Sequence, residues 1–313
     1  MSEISVLVPS YNHARFIERT LRSIFAQTTG IKKLLVIDDG SADESTAIIK
    51  KTLKNSPFDS ELISRENRGL CATLNEGFSK TDGEYFAYLG SDDLWMPTFL
   101  EEQLRLLESR PNAVLAFGHA FVIDEDEMIT DRTDNWTSFA DGNMLPYLLG
   151  GEIFSSPSVI YRRSAVEKYG WNEDAVLEDY ELYLNLCSEG DFARNSNLLC
   201  AWRRHGRNTS DNFPLMLKEQ LAAQTRLAEK LGISLPDLKQ IQRQLKFKAV
   251  SDYVRNGHRN DAFPMFWENL AGRTSLFHAA RVFAQLTIPP SLFFWNRERK
   301  ARKAIERYGK LKL

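Results

Sequence analysis

Short apolar runs alternate with amphipathic segments along the first third of the chain. Four runs have the length and composition of buried strands, the third together with a following turn: residues 4–10, 32–41, 60–69 and 84–93. Apolar residues recur at helical spacing between them, in residues 14–28, 42–54 and 70–81. Strands that alternate with helices in this way predict an α/β fold with a parallel sheet and right-handed crossover connections.

The pattern is less regular after Asp93. It predicts an amphipathic helix, a strand, a strand leading into a helix, and a further helix, at residues 99–111, 113–124, 155–170 and 178–190. The acidic segment 124–142 has no period and predicts an exposed loop or hairpin. Helical patterns alone follow Asp211. We therefore predict two domains, residues 1–210 and a helical region at residues 211–313.

Polar residues follow each of the four early strands. These segments are Pro9–Asn12, Asp38–Ser41, Asn67–Gly69 and Ser91–Asp93. In a parallel α/β sheet, ligands bind beyond the carboxyl ends of the strands, so all four segments should lie at one edge. Each segment alone is also typical of an ordinary turn. The four together favour a ligand site.

Two adjacent carboxylates, Asp92 and Asp93, end the fourth apolar run. Like charges side by side repel each other and resist burial, so we expect a cation beside them. Oxygen ligands suit a hard divalent ion such as Mg²⁺ or Mn²⁺, which also binds phosphate oxygens. Neither a P-loop nor a GxGxxG pattern occurs in the sequence. A diphosphate substrate would therefore be held mainly by the metal.

Composition narrows the class of protein. Forty basic and 42 acidic residues give a net charge of −2, so nothing global suggests nucleic-acid binding. Three cysteines without a CxxC pair argue against a disulfide framework or a zinc site and fit a reducing cytoplasm. The first residues lack the features of a signal peptide, and segment 275–295 is too polar to span a bilayer. We expect a cytoplasmic or membrane-surface protein.

Six motifs occur in an order and at spacings that resemble those of the family 2 glycosyltransferases, which are inverting enzymes with the GT-A fold. They are Pro9–Asn12, Ile37–Asp43, Asn67–Gly77, Gly83–Asp93, Arg162–Asp179 and Arg203–Ser210. The resemblance covers about the first two thirds of the chain. It implies a Rossmann-like, mostly parallel central sheet flanked by helices. Residues 1–210 would bind the nucleotide-sugar and carry the catalytic groups, and residues 211–313 would form a helical extension.

The resemblance also implies a donor site at the ends of the first strands. The candidate donor-binding residues are Pro9, Ser10, Tyr11, Asn12, Asp39, Arg68, Asn75 and Ser91. Tyr11 would pack on the base of the nucleotide, and Asp39 would hydrogen-bond that base. Arg68 would supply a basic contact, because Leu74 stands where the family often has arginine. By resemblance alone, the expected donor is a UDP-sugar.

The metal ligands and the catalytic acids follow from the same resemblance. Asp92 would bind Mn²⁺ or Mg²⁺, with Asp93 beside it and His205 as a further ligand. Asp179, adjacent to Glu178, would be the general base, because inversion at a sugar carbon needs one carboxylate to take the acceptor proton. A structural histidine and a pair of acids that suit the helix dipole are the alternatives.

The implied reaction moves a sugar to a saccharide or a polyprenyl-diphosphate-linked acceptor in cell-surface polysaccharide biosynthesis. Gly90 stands where the family often has a first aspartate, so an inactive nucleotide-binding relative or scaffold is the alternative. A sugar nucleotidyltransferase would need a glycine-rich basic loop after the first strand, and residues 9–16 contain no glycine. Trp95 and Trp171 are expected either to wall the sugar pocket or to pack in the core.

The end of the chain combines aromatic and basic residues. Residues 290–313 hold eight lysines and arginines against two glutamates, after the aromatic run Phe293–Trp295. This composition suits peripheral contact with an anionic membrane at the inner face of the plasma membrane. A solvated helix end is the alternative.

Overall fold

A computed structural model describes residues 3–206 and 208–313. The strands are β1 Ile4–Ser10, β2 Lys33–Asp38, β3 Ser60–Ser64, β4 Tyr85–Tyr88, β5 Leu94–Trp95, β6 Ala113–Ile123, β7 Ile129–Arg132, β8 Ile160–Arg162 and β9 Asp191–Arg203. The α-helices are α1 Ile17–Phe25, α2 Ser45–Leu53, α3 Leu70–Ser79, α4 Phe99–Glu108, α5 Leu145–Leu149, α6 Arg163–Val166, α7 Glu178–Leu186, α8 Phe213–Leu227, α9 Leu235–Arg255, α10 Arg259–Glu268, α11 Leu276–Thr287 and α12 Pro290–Tyr308. The predicted alternation of strands and helices is confirmed.

The strands form one mixed sheet in the order β3-β2-β1-β4-β8-β6-β9-β5, with β7 paired to β6. Strands β3, β2, β1 and β4 are parallel neighbours, as the sequence predicts. The strand β8 runs antiparallel to both β4 and β6, so the second half of the sheet departs from the simple parallel pattern. The parallel half places the ends of β1, β2 and β4 at one edge.

The long strand β9 is missing from the sequence prediction. It pairs in parallel with β6, and the register shifts between Phe117 and Ala120. The segment Arg194–Asn197 is half-buried or exposed, so the apolar period is interrupted within the strand. The sequence predicts either a loop or a hairpin for the acidic segment after β6. It is a hairpin, since β7 pairs antiparallel with β6.

Two apolar cores cover the two faces of the sheet. Alternate residues of a strand face opposite sides, and β1 shows this directly. Leu7 packs in the core beneath α3 and α7, whereas Val6 and Val8 pack in the core beneath α1 and α4. Trp95 and Trp171, exposed by 0% and 3%, belong to these cores. Core packing is therefore the reading that holds for both tryptophans.

The helices after α7 build a third core of their own. Phe247, Val250 and Val282 are buried in it. Helix α8 joins it to the sheet domain, because Gln224 donates to the Tyr180 hydroxyl at 2.9 Å. Among the residues described, no helix is long and apolar enough to cross a bilayer.

Candidate active site

The ends of β1, β2 and β4 and the start of α7 line one cavity of about 770 Å³. The candidate residues that the structure brings together there are Pro9, Ser10, Tyr11, Asp39, Arg68, Ser91, Asp92, Asp93, Glu178, Asp179 and His205. Some follow the parallel strands of the sheet, and the others belong to the sequence motifs that come later in the chain. The cavity is large enough for a nucleotide-sized ligand.

Asn12 lies outside the cavity lining and ties two loops together. Its φ of 54° places it in the left-handed region, which asparagine tolerates better than most residues. The backbone N–H of Asn12 donates to Ser41 Oγ at 2.8 Å, and its Oδ1 accepts from the Ala42 N–H at 2.8 Å. Asn12 thus fixes the loop after β1 against the loop after β2.

Asn75 also lies outside the cavity lining. Its side chain donates to the Trp171 carbonyl at 2.8 Å and accepts from the Trp171 N–H at 2.9 Å. A second donation reaches Glu173 at 3.0 Å. Asn75 therefore anchors the start of the segment that leads to Glu178 and Asp179.

The Asp39 carboxylate organises the loop before α3. It accepts from the backbone N–H groups of Arg68 and Gly69, each at 2.9 Å, and from the Arg65 guanidinium. Each oxygen of a carboxylate has more than one acceptor position, so these bonds leave room for a ligand donor. Tyr11, 49% exposed, lies on the same cavity.

Asp92 lies between two imidazoles. His205 Nε2 is 3.0 Å from Asp92 Oδ2, and His13 Nδ1 is 3.8 Å from Asp92 Oδ1. One ligand atom from each of the three residues lies within 4.8 Å of the other two. Ligands on opposite sides of one ion lie about 4.2 Å apart when each bond is about 2.1 Å long. Small side-chain movements would therefore let all three bind one cation.

The two adjacent acids differ in their electrostatics. Burial opposes ionisation of Asp92, but the hydrogen bond with His205 and the charge of His13 outweigh it, so the pKa of Asp92 lies below its usual range. Burial, followed by the charge of Asp92, raises the pKa of Asp93 well above its usual range. Asp93 Oδ1 accepts from the Arg203 N–H at 2.8 Å. Asp92 is thus the acid poised to offer a carboxylate to a cation.

Arg203 supports the loop that carries Asp92 and Asp93. Its guanidinium is 1% exposed and donates from Nε to the Asp92 carbonyl at 2.7 Å and from an Nη to the Asp124 carbonyl at 3.0 Å. It also lies over the Phe16 ring, 4.9 Å from the centroid. The Phe16 ring stacks on His205 at 5.4 Å, so one aromatic ring supports both side chains.

Glu178 and Asp179 begin α7 on the far side of the cavity. Burial, followed by the charge of Glu178, raises the pKa of Asp179 well above its usual range. Burial also raises the pKa of Glu178, which is 3.4 Å from the Tyr88 hydroxyl. Asp179 Oδ1 is buried and has no hydrogen-bond partner among the residues described. The carboxylate lines the cavity, and its unpaired buried oxygen makes Asp179 a candidate to meet a substrate proton.

Several lining residues have no role predicted from the sequence. They include His13, Thr133, Trp136, Phe139, Phe154, Ser155, Trp202 and Asn208. The segments near 133–139 and 153–157 come from irregular regions, where no apolar period marks a position. His13 had a usable signal, because it follows directly on the segment Pro9–Asn12 at the ligand edge.

The model of the family described as "Glycosyl transferase family 2" matches residues 5–170. The chain belongs to glycosyltransferase family 2. This confirms the resemblance drawn from the ordered motifs.

The curated relatives cover the chain unevenly. The UDP-Glc:alpha-D-GlcNAc-diphosphoundecaprenol beta-1,3-glucosyltransferase WfaP of Escherichia coli is 29% identical over 238 residues, which are 74% of this chain and 88% of WfaP. An uncharacterized glycosyltransferase of Nostoc is 28% identical over 170 residues, which are 53% of this chain. The chain spans only 52% of that Nostoc relative.

Two solved structures share the fold. The mannosyltransferase PcManGT from Pyrobaculum calidifontis, in complex with GDP-Man and Mn²⁺, has a TM-score of 0.62 at 19% identity, covering 97% of this chain and 86% of that one. Staphylococcus aureus TarS 1–349, in complex with UDP-GlcNAc, has a TM-score of 0.62 at 15% identity, covering 100% and 93%. At these identities the likeness establishes the fold, and the expected GT-A architecture is confirmed.

Proposed function

We propose that this glycosyltransferase is metal-dependent and inverting, and that it moves a sugar from a UDP-sugar to a saccharide or polyprenyl-diphosphate-linked acceptor in cell-surface polysaccharide biosynthesis. One observation carries the proposal. Asp92, set between the imidazoles of His205 and His13, and the buried Asp179 line the same cavity. The printed activity of WfaP, from a UDP-sugar to a diphospholipid-linked sugar, supports the substrate class.

The donor is placed at the loops that the sequence singled out. The base packs on Tyr11 between Pro9, Ser10 and the loop held by Asp39. The diphosphate lies toward Asp92 and His205, and Arg68 supplies a basic contact from the loop held by Asp39. The cation, Mn²⁺ or Mg²⁺, supplies positive charge to the departing diphosphate when it is bound, so no protein acid is needed there.

Asp179 is the general base of the proposed reaction. The acceptor oxygen forms a bond to the anomeric carbon as the bond from that carbon to the diphosphate breaks, and the hydroxyl proton passes to Asp179. Burial and the charge of Glu178 raise the pKa of Asp179 and so make it a stronger base. Asp179 is itself buried, which limits the access of water to the place where the proton moves.

Calorimetric titration with UDP, GDP, dTDP and CMP tests the proposal. Each nucleotide is added with Mn²⁺ or with chelator to the wild type, Asp92→Asn and Asp179→Asn. We expect UDP to bind only with metal, Asp92→Asn to lose that binding, and Asp179→Asn to keep it. With the matching sugar donor and an acceptor, Asp179→Asn should lose about 10²- to 10⁴-fold in turnover.

Asp126→Asn is the matched control, because this carboxylate is 81% exposed and pairs with Arg15 on the surface. It should bind and turn over like the wild type. If none of the four nucleotides binds in a metal-dependent way, the proposal is contradicted. That result would favour an inactive scaffold, whose site would lack the first carboxylate at Gly90.

We also propose that the helices α10–α12 contact an anionic lipid surface. Most of the exposed large apolar side chains in the described residues lie on these helices, at Phe263, Trp267, Leu276, Phe277, Phe283, Leu292, Phe294 and Trp295. The basic residues of α12 follow directly, and Arg299 lies 5.4 Å from the Trp295 ring centroid. Aromatic side chains beside arginines and lysines complement the acyl boundary and the anionic headgroups.

Vesicle co-sedimentation with the whole chain tests this contact. We expect binding to phosphatidylglycerol vesicles that salt weakens, and much weaker binding to phosphatidylcholine. The double variant Phe294→Ala/Trp295→Ala should reduce binding about tenfold or more, because each ring contributes on the order of 1–2 kcal/mol of apolar burial. Trp136→Ala is the control, because it removes a tryptophan that is about equally exposed but lies far from α12 in the sequence. Equal binding of the double variant and the wild type would contradict the contact.

A further inference from the structure

His13 lines the cavity, and no motif in the sequence assigns it a role. It lies beside Asp92 at 3.8 Å and faces His205, with the two imidazole centroids 5.5 Å apart at 77°. The three residues come from separate loops, after β1, after β4 and after β9. Their ligand atoms lie within 4.8 Å of one another, a spacing that one cation can close.

The chain holds His13 from both sides of its backbone. The His13 N–H donates to Ser45 Oγ at 3.0 Å, and its carbonyl accepts from the Phe16 and Ile17 N–H groups at 2.9 and 3.0 Å. The imidazole Nδ1 is 2.7 Å from Ser91 Oγ. A side chain set in position by two loops and a helix start is pre-organised for a ligand.

A side chain at position 90 would crowd the two carboxylates of the cluster. A Cβ placed at Gly90 would lie 3.0 Å from Asp92 Oδ1 and 3.3 Å from Asp93 Oδ2. Both contacts are tighter than ordinary van der Waals distances, so a side chain there would push on Asp92. His13 approaches the same Asp92 oxygen from the opposite loop and does not meet this obstacle.

We propose that His13 is a protein ligand of the cation, through Nδ1, together with Asp92 and His205. This inference rests on the proposed metal-dependent transferase. Nδ1, which now lies 2.7 Å from Ser91 Oγ, would hold the cation, with the ring proton on Nε2. The imidazole thereby supplies a third protein ligand at a site where Gly90 offers no carboxylate.

The ligand set has a consequence for the choice of metal. Two imidazole nitrogens and one carboxylate suit Mn²⁺ and Co²⁺, whereas Mg²⁺ prefers a set made of oxygens. We therefore expect the site to bind Mn²⁺ more tightly than Mg²⁺. Loss of the His13 imidazole should weaken Mn²⁺ and Co²⁺ more than Mg²⁺, so the Mn²⁺-to-Mg²⁺ affinity ratio should fall.

Metal binding to the whole chain, measured apart from turnover, tests the inference. Free Mn²⁺ is followed by electron paramagnetic resonance and bound Co²⁺ by visible absorption, each with and without UDP. The variants are His13→Ala, the polar His13→Gln, and Asp92→Asn as the variant that should lose the metal. His258→Gln, an imidazole at the start of α10, is the matched control.

We expect both His13 variants to bind Mn²⁺ about 10- to 100-fold more weakly and to shift the Co²⁺ absorption, whereas His258→Gln does neither. Wild-type Mn²⁺ affinity and an unchanged Co²⁺ spectrum in the His13 variants would overturn the assignment and leave the transferase proposal intact. Failure of the wild type itself to bind any of these metals would overturn the metal dependence as well. Unchanged circular dichroism and melting temperature separate ligand loss from unfolding.

Discussion

At the scale of single residues, neighbouring acids acquire different roles from their surroundings. Asp92 is held ionised by two imidazoles, while Asp93 accepts from the Arg203 backbone and has a raised pKa. Glu178 and Asp179 form a second adjacent pair, in which burial raises both pKa values. These surroundings suit Asp92 to a cation and Asp179 to a proton.

The first prediction concerns the pH dependence of turnover. A general base acts in its ionised form, so activity is lost as pH falls through its pKa. Burial and the charge of Glu178 raise the pKa of Asp179, so this loss should begin above the usual carboxyl range near 4. Glu178→Gln removes the neighbouring charge and should move the acidic limb of kcat/KM to lower pH.

The profile is measured by release of nucleoside diphosphate between about pH 4 and 9, a range that spans the ordinary carboxyl and imidazole pKa values. Glu101→Gln, on the exposed side of α4, controls for the loss of an acid elsewhere. If the acidic limb of the kcat/KM profile does not move in Glu178→Gln, then the charge of Glu178 does not affect the pKa of Asp179, or another group is the base.

At the scale of elements, Arg203 joins the end of β9 to two loops. It connects the Asp92–Asp93 loop to the β6–β7 hairpin and is buried among carbonyl groups. We predict that Arg203→Met lowers the free energy of unfolding by about 2–4 kcal/mol, because buried acceptors lose a charged donor. Mn²⁺ affinity should fall too, since the Asp92 carbonyl loses its support.

Urea unfolding and Mn²⁺ titration check this prediction together. Arg204→Met is the matched control, because Arg204 is the next residue and pairs with Asp211 at the surface. It should change stability by less than about 1 kcal/mol. If Arg203→Met unfolds and binds Mn²⁺ like Arg204→Met, the buried arginine does not brace the acidic loop.

Whether an element of the fold or the site can be predicted from the sequence depends on whether its residues form a regular pattern. Buried parallel strands such as β1 and β2 form unbroken apolar runs, and their ends mark the site edge without further information. The strand β9 was hidden because its register shifts against β6 break the period. His13 was missed because its role depends on contacts with Asp92 and His205, which lie 79 and 192 positions further along.

The tryptophans show that an apolar residue can be located in the sequence without its role being predictable. Nothing in the sequence decides whether Trp171 lines a pocket or packs in a core, because both need an apolar ring. The structure decides through its neighbours, Phe78, Phe86, Tyr88 and Tyr161, whose rings surround it. The role of Asp179 is a prediction that Asp179→Asn tests, and the roles of Tyr11 and Asp39 stay predictions.

At the scale of the whole molecule, the last residues of the given sequence return to the sheet. After α12, the Gly309 carbonyl accepts from the Ile129 N–H at 3.0 Å, and the Leu311 N–H donates to the Glu127 carbonyl at 2.8 Å. Leu311 is buried against Leu94, Ile123 and Ile129. The proposed membrane-binding helices are thus bonded to the hairpin that supports Arg203. Deleting the tail would damage this packing, so point substitutions are the better test of lipid contact.

The last prediction separates this docking from the lipid contact. Leu311→Ala should lower the free energy of unfolding by about 2–4 kcal/mol, the usual cost of a cavity in an apolar cluster. It should also reduce Mn²⁺ affinity through the hairpin, yet leave vesicle binding unchanged, because the exposed side chains of α10–α12 are untouched. Phe294→Ala/Trp295→Ala should do the reverse. Lys312→Ala, at the adjacent exposed position, controls for substitution in the tail. If Leu311→Ala weakens vesicle binding as strongly as the double variant, the two surfaces act as one, and the hairpin transmits the contact of the tail to the site.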